Sequence, residues 1–200
     1  LGDAAFYAAS ARPQTQMRLR WNSGHNVIHP DRSEFFWARA DGFGQGPRPA
    51  AGQIAPTRGL SFNDLILYTE AGINTFSVIV ETPYRAIDAT EFGHAAGFSD
   101  IKIGPKTLIF DCELLQVALQ MLTYIPSGSA GKGLGTGHVS LEPSLLFGLR
   151  LGPDTYCQGQ LSQWIPLGGD PDYAGGVLQT HCSLNHVLWR FSPLVQLIGT

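Results

Sequence analysis

The stretch Tyr124–Gly137, YIPSGSAGKGLGTG, carries five glycines and a lysine, the ingredients of a phosphate-cradling loop. Such a loop needs G-x-x-x-x-G-K-[ST]: the glycines let backbone N–H groups approach the phosphates, and the last hydroxyl holds a metal ion. With Gly131-Lys132 as the G-K pair, the first glycine falls on Pro126 and the hydroxyl on Gly133. Both ends fail. The stretch therefore reads as a long, mobile connection between two β-strands.

Other chemistry-bearing residues are sparse. His138 and Ser140 form H-x-S, a spacing that projects both side chains to one face of a strand. A serine nucleophile with a histidine base could be built so, with Glu142 on the same face, but the site also needs an oxyanion hole. That face is read as the barrel interior, away from any lipid substrate, so no catalytic residue is assigned and the chain is read as a non-enzyme. His181 and His186 are five apart and fall on opposite faces; His25 and His29 lack a third ligand nearby. No metal or cofactor site is expected. Cys112, Cys157 and Cys182 form no C-x-x-C pair and no even-numbered disulfide framework.

The elements that must carry these residues are strands. Period-two alternation recurs where helical spacing does not. In LQVALQMLTYIP, Leu115, Val117, Leu119 and Met121 oppose Gln116, Ala118 and Gln120. In HVSLEPSLLFGLRL, Val139, Leu141, Leu145, Phe147, Leu149 and Leu151 oppose Ser140, Glu142, Ser144, Gly148 and Arg150. DIKIGPKTLI and LQTHCSLNHV alternate likewise. The runs reach about 10 to 13 residues, against about five or six in an ordinary soluble strand and about 9 to 11 in a tilted membrane-spanning one. Pro105 and Pro143 interrupt two of them, so bulges are expected there.

Composition agrees. Charged residues are 14% of the chain, against about 25% in ordinary soluble domains. The net charge is −3, which gives no basic surface for nucleic acid. No apolar run of about 18 residues suggests a transmembrane helix. Alternating apolar and polar residues that cancel in the average suit a membrane β-barrel.

Connections alternate in length. Short turns fall near Gly72–Thr75, Asp111–Glu113, Gly152–Asp154 and Arg190–Pro193. Long loops fall near Ala40–Arg58, Ala86–Gly97, Pro126–His138 and Pro166–Gly175. Outer-membrane barrels pair short periplasmic turns with long extracellular loops. Tyr84, Tyr124 and Trp164, each 40 residues apart, are expected to form an aromatic girdle at the long-loop end. Phe76, Phe110, Tyr156 and Trp189 would form a second one toward the short turns.

The expected lumen lining is Glu81, Arg85, Lys102, Lys106, Gln116, Gln120, Glu142, Arg150, Gln158, Gln160, Gln179 and His181, with Ser144 on the same face. Val117, Leu119, Leu141, Leu145 and Leu149 should point away from the barrel axis. Arg85 lies four residues from Glu81 on one face and is expected to pair with it. Lys102 and Lys106 have no adjacent acid in sequence, so a conducting lumen should weakly prefer anions.

The segments GFSDIKIGPKTLI, TYIPSG, GTGHVSLEPSLLFGLRL and WIPLGGD resemble the transporter-like outer-membrane β-barrels associated with a phenol-degradation pathway. PDRSEFFWARADGFGQGP is similar to the opening of planctomycete-type outer-membrane proteins. The resemblance spans roughly Leu60 to Trp189. It implies an outer-membrane barrel that moves small hydrophobic or aromatic molecules, and it transfers no catalytic residue.

The expectation is thus an all-β, antiparallel up-and-down transmembrane barrel of the bacterial outer membrane. It would form a single domain over residues 1–200, with nine or ten strands that need not close on themselves. The chain lacks an initiator Met and a signal-like start and stops within a strand at LVQLIGT, so it is expected to be truncated at both termini. Its partners would be the lipid bilayer and a small solute. The competing readings are a non-transporting structural or adhesion barrel and a soluble lipocalin-like binder.

Overall fold

The computed structural model describes residues 9–27, 60–89, 93–169, 175–186 and 194–199. They form ten strands: β1 Gln16–Val27, β2 Leu60–Ile73, β3 Phe76–Ala89, β4 Gly93–Phe98, β5 Ile101–Asp111, β6 Leu115–Ile125, β7 Ser140–Arg150, β8 Thr155–Pro166, β9 Val177–His186 and β10 Leu194–Gly199. All pairings are antiparallel, in the order β1-β2-β3-β5-β6-β7-β8-β9-β10. β4 pairs the second half of β3 (Tyr84–Ala89) and β5 the first half (Phe76–Glu81), so the two are one strand broken at Ser99-Asp100. Among the described residues β1 pairs only β2 and β10 only β9. The fold is therefore an open half-barrel.

Strand length follows from unbroken alternation. β2 and β3 each run 14 residues, joined by the two-residue turn Asn74-Thr75 between the paired Ile73 and Phe76. Asn74 takes φ 54°, the left-handed conformation that two-residue hairpins need and asparagine tolerates. The expected long loop over Ala86–Gly97 is replaced by the strands β3 and β4, which continue to Ala89 and resume at Gly93. Its alanines and glycines give little alternation in sequence, yet they pair in register. The Ala40–Arg58 and Arg190–Pro193 connections lie outside the described residues.

The prolines act differently from expectation. The ladder lacks pairs at Gly104-Pro105 and at Glu142-Pro143, but the register is the same on either side of each gap. Each proline removes a donor without inserting a residue. The β5–β6 register shift lies instead between Leu108 and Phe110.

The two faces have inverted polarity. More polar and charged side chains are buried than apolar ones, among the described residues, while large apolar side chains crowd the outer face. Met17 is 73% exposed and Trp21 71%, whereas Lys106 is 1% exposed. Leu119 and Leu145 face outward; Gln120, Glu142 and Ser144 are buried on the concave side. A small apolar core of Ala11, Leu108, Ala118 and Leu146 sits inside the concave face.

Aromatic placement corrects half of the girdle expectation. Phe76 and Phe110 are exposed on the outer face near the short turns, Tyr156 is exposed on the inward-facing side of β8 opposite Arg150, and Trp189 lies outside the described residues. At the other end only Tyr84 is exposed, packed edge-on against Phe98. Tyr124 and Trp164 are buried inside and meet edge-on with centroids 6.5 Å apart. Equal spacing in sequence does not conserve face, because each hairpin sets its own register.

Candidate functional site

The concave face carries the chemistry, and strand register decides who meets whom. Asp64 and Arg85 are direct cross-strand partners on β2 and β3. Arg85 donates Nε to Asp64 Oδ1 at 2.8 Å and Nη2 to Oδ2 at 2.7 Å, a bidentate fork with both side chains buried. Glu81 and Lys102 are partners on β3 and β5 and sit 2.7 Å apart, with Arg20 at 3.9 Å. Lys106 lies 2.6 Å from Glu70. Glu70 also accepts from Ser77 Oγ at 2.7 Å, Tyr68 OH at 2.8 Å, Gln16 Nε2 at 3.0 Å and the Gln14 backbone at 3.1 Å.

This overturns the expected charge arrangement. Arg85 pairs with Asp64 and not with Glu81, and both lysines have carboxylate partners from other strands, that of Lys102 on adjacent β3 and that of Lys106 across β3 on β2. Sequence proximity misled, because antiparallel register brings together residues far apart in the chain. Lys102 and Lys106 therefore do not stand without acids, as the expected anion preference assumed. Asp64, Glu70, Arg18 and Arg20 went unassigned, although MRLRW alternates as clearly as the strands that were read; NDLILYTE, with Leu65, Ile66 and Leu67 in a row, does not.

A second feature had no period to reveal it. Residues 9–15 cross the concave face as a strap. Gln14 and Thr15 are tied to β2 through Glu70 and Gly72. The Ser10 carbonyl accepts from Lys106 Nζ at 3.1 Å, and Ala11 fills the apolar core. The Ala9 N–H reaches Gln160 Oε1 on β8 at 3.2 Å. The small side chains of Ala9, Ser10 and Ala11 allow this close approach. Arg12 adds an exposed pair with Asp111 at 2.9 Å.

The glycine-rich loop answers its opening puzzle here. Asp100, 2% exposed at the break between β4 and β5, accepts from the Gly128 backbone at 3.0 Å and from Thr136 N and Oγ1 at 2.8 Å each. Ser127 bridges the Ser99 carbonyl and the Ile101 N–H at 3.1 and 3.0 Å. Gly133 and Gly137 both take φ 74°, which side chains disfavour. The loop is thus anchored onto the barrel rather than mobile. GFSD, PSG and GTG, three separate segments in sequence, converge on one carboxylate.

The remaining expected lining divides in two. Gln120, Gln160, Gln179 and His181 lie on the concave face of β6, β8 and β9, and Glu142 accepts from the Tyr124 hydroxyl. Gln116 and Arg150 belong to the short-turn rim, bonded to Asp111 at 2.9 Å and Glu113 at 3.3 Å. Gln158 lines a 210 Å³ pocket beside them. His138 Nδ1 lies 3.3 Å from Ser140 Oγ and equally far from the Val139 carbonyl. Ser140 is fully buried on the inner side. The three thiols are free, with Cys157 and Cys182 Sγ atoms 3.9 Å apart. No helix among the described residues is long and apolar enough to cross a membrane, which leaves strands as a means of crossing untouched.

Compared with known proteins, the chain matches no family model, no curated protein and no solved structure.

Proposed function

We propose that this chain is the wall of a bacterial outer-membrane β-barrel that passes small molecules through a polar lumen. The inverted polarity carries the reading. Strands of 11 to 14 residues that turn leucines outward and ion pairs inward suit a wall between lipid and water. A lipocalin-like binder needs the reverse, an apolar cup under a polar exterior. The outward residues of β6 and β7 and the aromatics Phe76 and Phe110 fit a lipid-facing band with an interfacial belt.

One observation favours the second reading, a closed structural barrel: the strap over residues 9–15 covers the interior near the short turns. In the transport reading the strap moves aside during passage. The test is a reversible lock. In a background with Cys112, Cys157 and Cys182 replaced by serine, Ala9→Cys and Gln160→Cys are joined by oxidation in proteoliposomes. Solute flux should fall when the lock closes and return on reduction. Absence of flux in both states would leave the structural barrel, and a monomer stable in detergent-free buffer would remove the membrane reading altogether.

A further inference from the structure

We infer that the neutral row across β6–β9, Gln120, Ser144, Ser162 and Gln179 with His181 beside it, binds a small uncharged solute carrying both hydrogen-bond donors and acceptors, such as a polyol or an amide. The inference rests on the transport reading for its role but not for its geometry. Register makes the row: Gln120 pairs with Ser144, Ser144 with Ser162, and Ser162 with Gln179. All four are buried, and His181 pairs with Gln160 in the adjacent row.

The row has hydrogen-bonding capacity left over. Gln120 Oε1, Gln179 Nε2 and His181 Nδ1 are buried and have no partner among the described residues. Ser144 and Ser162 share a single bond at 2.9 Å, and Ser162 Oγ accepts a second from Gln160 Nε2 at 2.7 Å. Two hydroxyls that share one bond spend one proton and keep the other. Gln160 is itself fixed by the strap, through the Ala9 N–H. An idle acceptor therefore stands at one end of the row, an idle donor at the other, and an idle hydroxyl proton between them. Folded proteins leave few buried polar atoms unpaired, and a cluster on one wall calls for an occupant.

Charge decides its class. The row holds no formal charge, and the neighbouring Lys106 is committed to Glu70. The nearest inward carboxylate, Glu142 on β7, already accepts from the Tyr124 hydroxyl, so a bare ion would shed its water here without a free counter-charge within the row. The strands bearing Gln120 and Gln179 are three interstrand spacings apart, about 14 Å, so an occupant that meets both ends of the row is small. A purely hydrophobic molecule would leave the amides and hydroxyl unpaired.

The test uses erythritol and acetamide as probes, with potassium chloride and toluene for comparison. Binding is followed by tryptophan fluorescence of the detergent-folded protein, and flux by swelling of proteoliposomes. Gln120→Leu and Gln179→Leu should each weaken erythritol binding and flux about tenfold, the loss of one net hydrogen bond. Gln163→Leu, on the outward face, should change neither. Heat-dependent gel mobility verifies folding of each variant. Removing an amide with an unmet partner should not impair folding. Erythritol binding without flux of any solute would keep the site and end the transport reading. Erythritol flux unchanged in both glutamine variants, or toluene binding in preference to the polar probes, would overturn the site and leave transport standing.

Discussion

The two halves of the concave face solve one problem in opposite ways. From β1 to β5 the interior is charged and the inward carboxylates of the strands meet cations: Asp64 with Arg85, Glu81 with Lys102, Glu70 with Lys106. From β6 to β9 it is mainly neutral, and buried amide and imidazole atoms go without partners among the described residues. Taking charge out of water is tolerated only when it is paired, so the charged half is a brace. Idle neutral groups cost less and can wait for a ligand. The difference separates a structural wall from a recognition wall within one sheet.

The largest effect should come from breaking the brace. Lys106→Met strands the Glu70 carboxylate in a fully buried site and removes the bond to the Ser10 carbonyl. A loss of about 3–5 kcal/mol is expected from leaving one member of a buried pair alone. Urea unfolding of the detergent-folded protein measures it. The double variant Glu70→Gln/Lys106→Met should recover much of that loss. A cost for Lys106→Met below about 1 kcal/mol, as for an exposed pair, would mean the charged half is wet and not a brace.

Outside, the contrast should vanish. Leu67 on β2 and Leu145 on β7 are about equally exposed on the outward faces of the two halves. If lipid covers both, arginine at either position should cost about 2–4 kcal/mol when it lies near mid-bilayer. Unfolding in lipid vesicles and in zwitterionic detergent would give the two values. Near-zero costs at both positions would point to a water-facing exterior. A large cost at only one would give the halves different surroundings.

How much of this could be read in the sequence depended on the range of the interactions. Alternation is local, so β5 to β9, the short turns at Asn74 and Gly152, and the inward Gln120 and outward Leu119 were legible before any coordinates, whereas β4 was expected as a loop. Partner choice is not local. Arg85 has Glu81 four residues away yet bonds Asp64, 21 positions distant, because the β2–β3 register places Asp64 opposite it. Tyr124 and Trp164 match Tyr84 in spacing but not in face, since nothing within one strand fixes the register of the next. The strap was illegible for a third reason. Its alanines carry no periodic signal, and its position is set by a groove that exists only once β5, β6 and β7 have assembled.

The seam between the halves offers the smallest and most local test. Asp100 sits where β4 gives way to β5, and it holds the loop that joins β6 to β7. Asp100→Ala deletes the acceptor of three hydrogen bonds, but the freed Gly128 and Thr136 N–H groups can reach water once the loop lifts. The cost should therefore stay near that of a single unsatisfied group, about 1–3 kcal/mol, and fall on loop opening rather than on the sheet. Lys132 stands exposed in that loop and offers trypsin a cleavage site. When reclosing is fast, cleavage follows the open population, so the rate should rise about 5- to 150-fold while the urea midpoint of the barrel hardly moves. Asp100→Asn keeps one acceptor oxygen and should fall between wild type and alanine. An unchanged cleavage rate would mean the loop is held elsewhere. A midpoint that falls together with rising cleavage would make Asp100 a tie between the two halves, with the charged brace and the neutral wall unfolding as one unit.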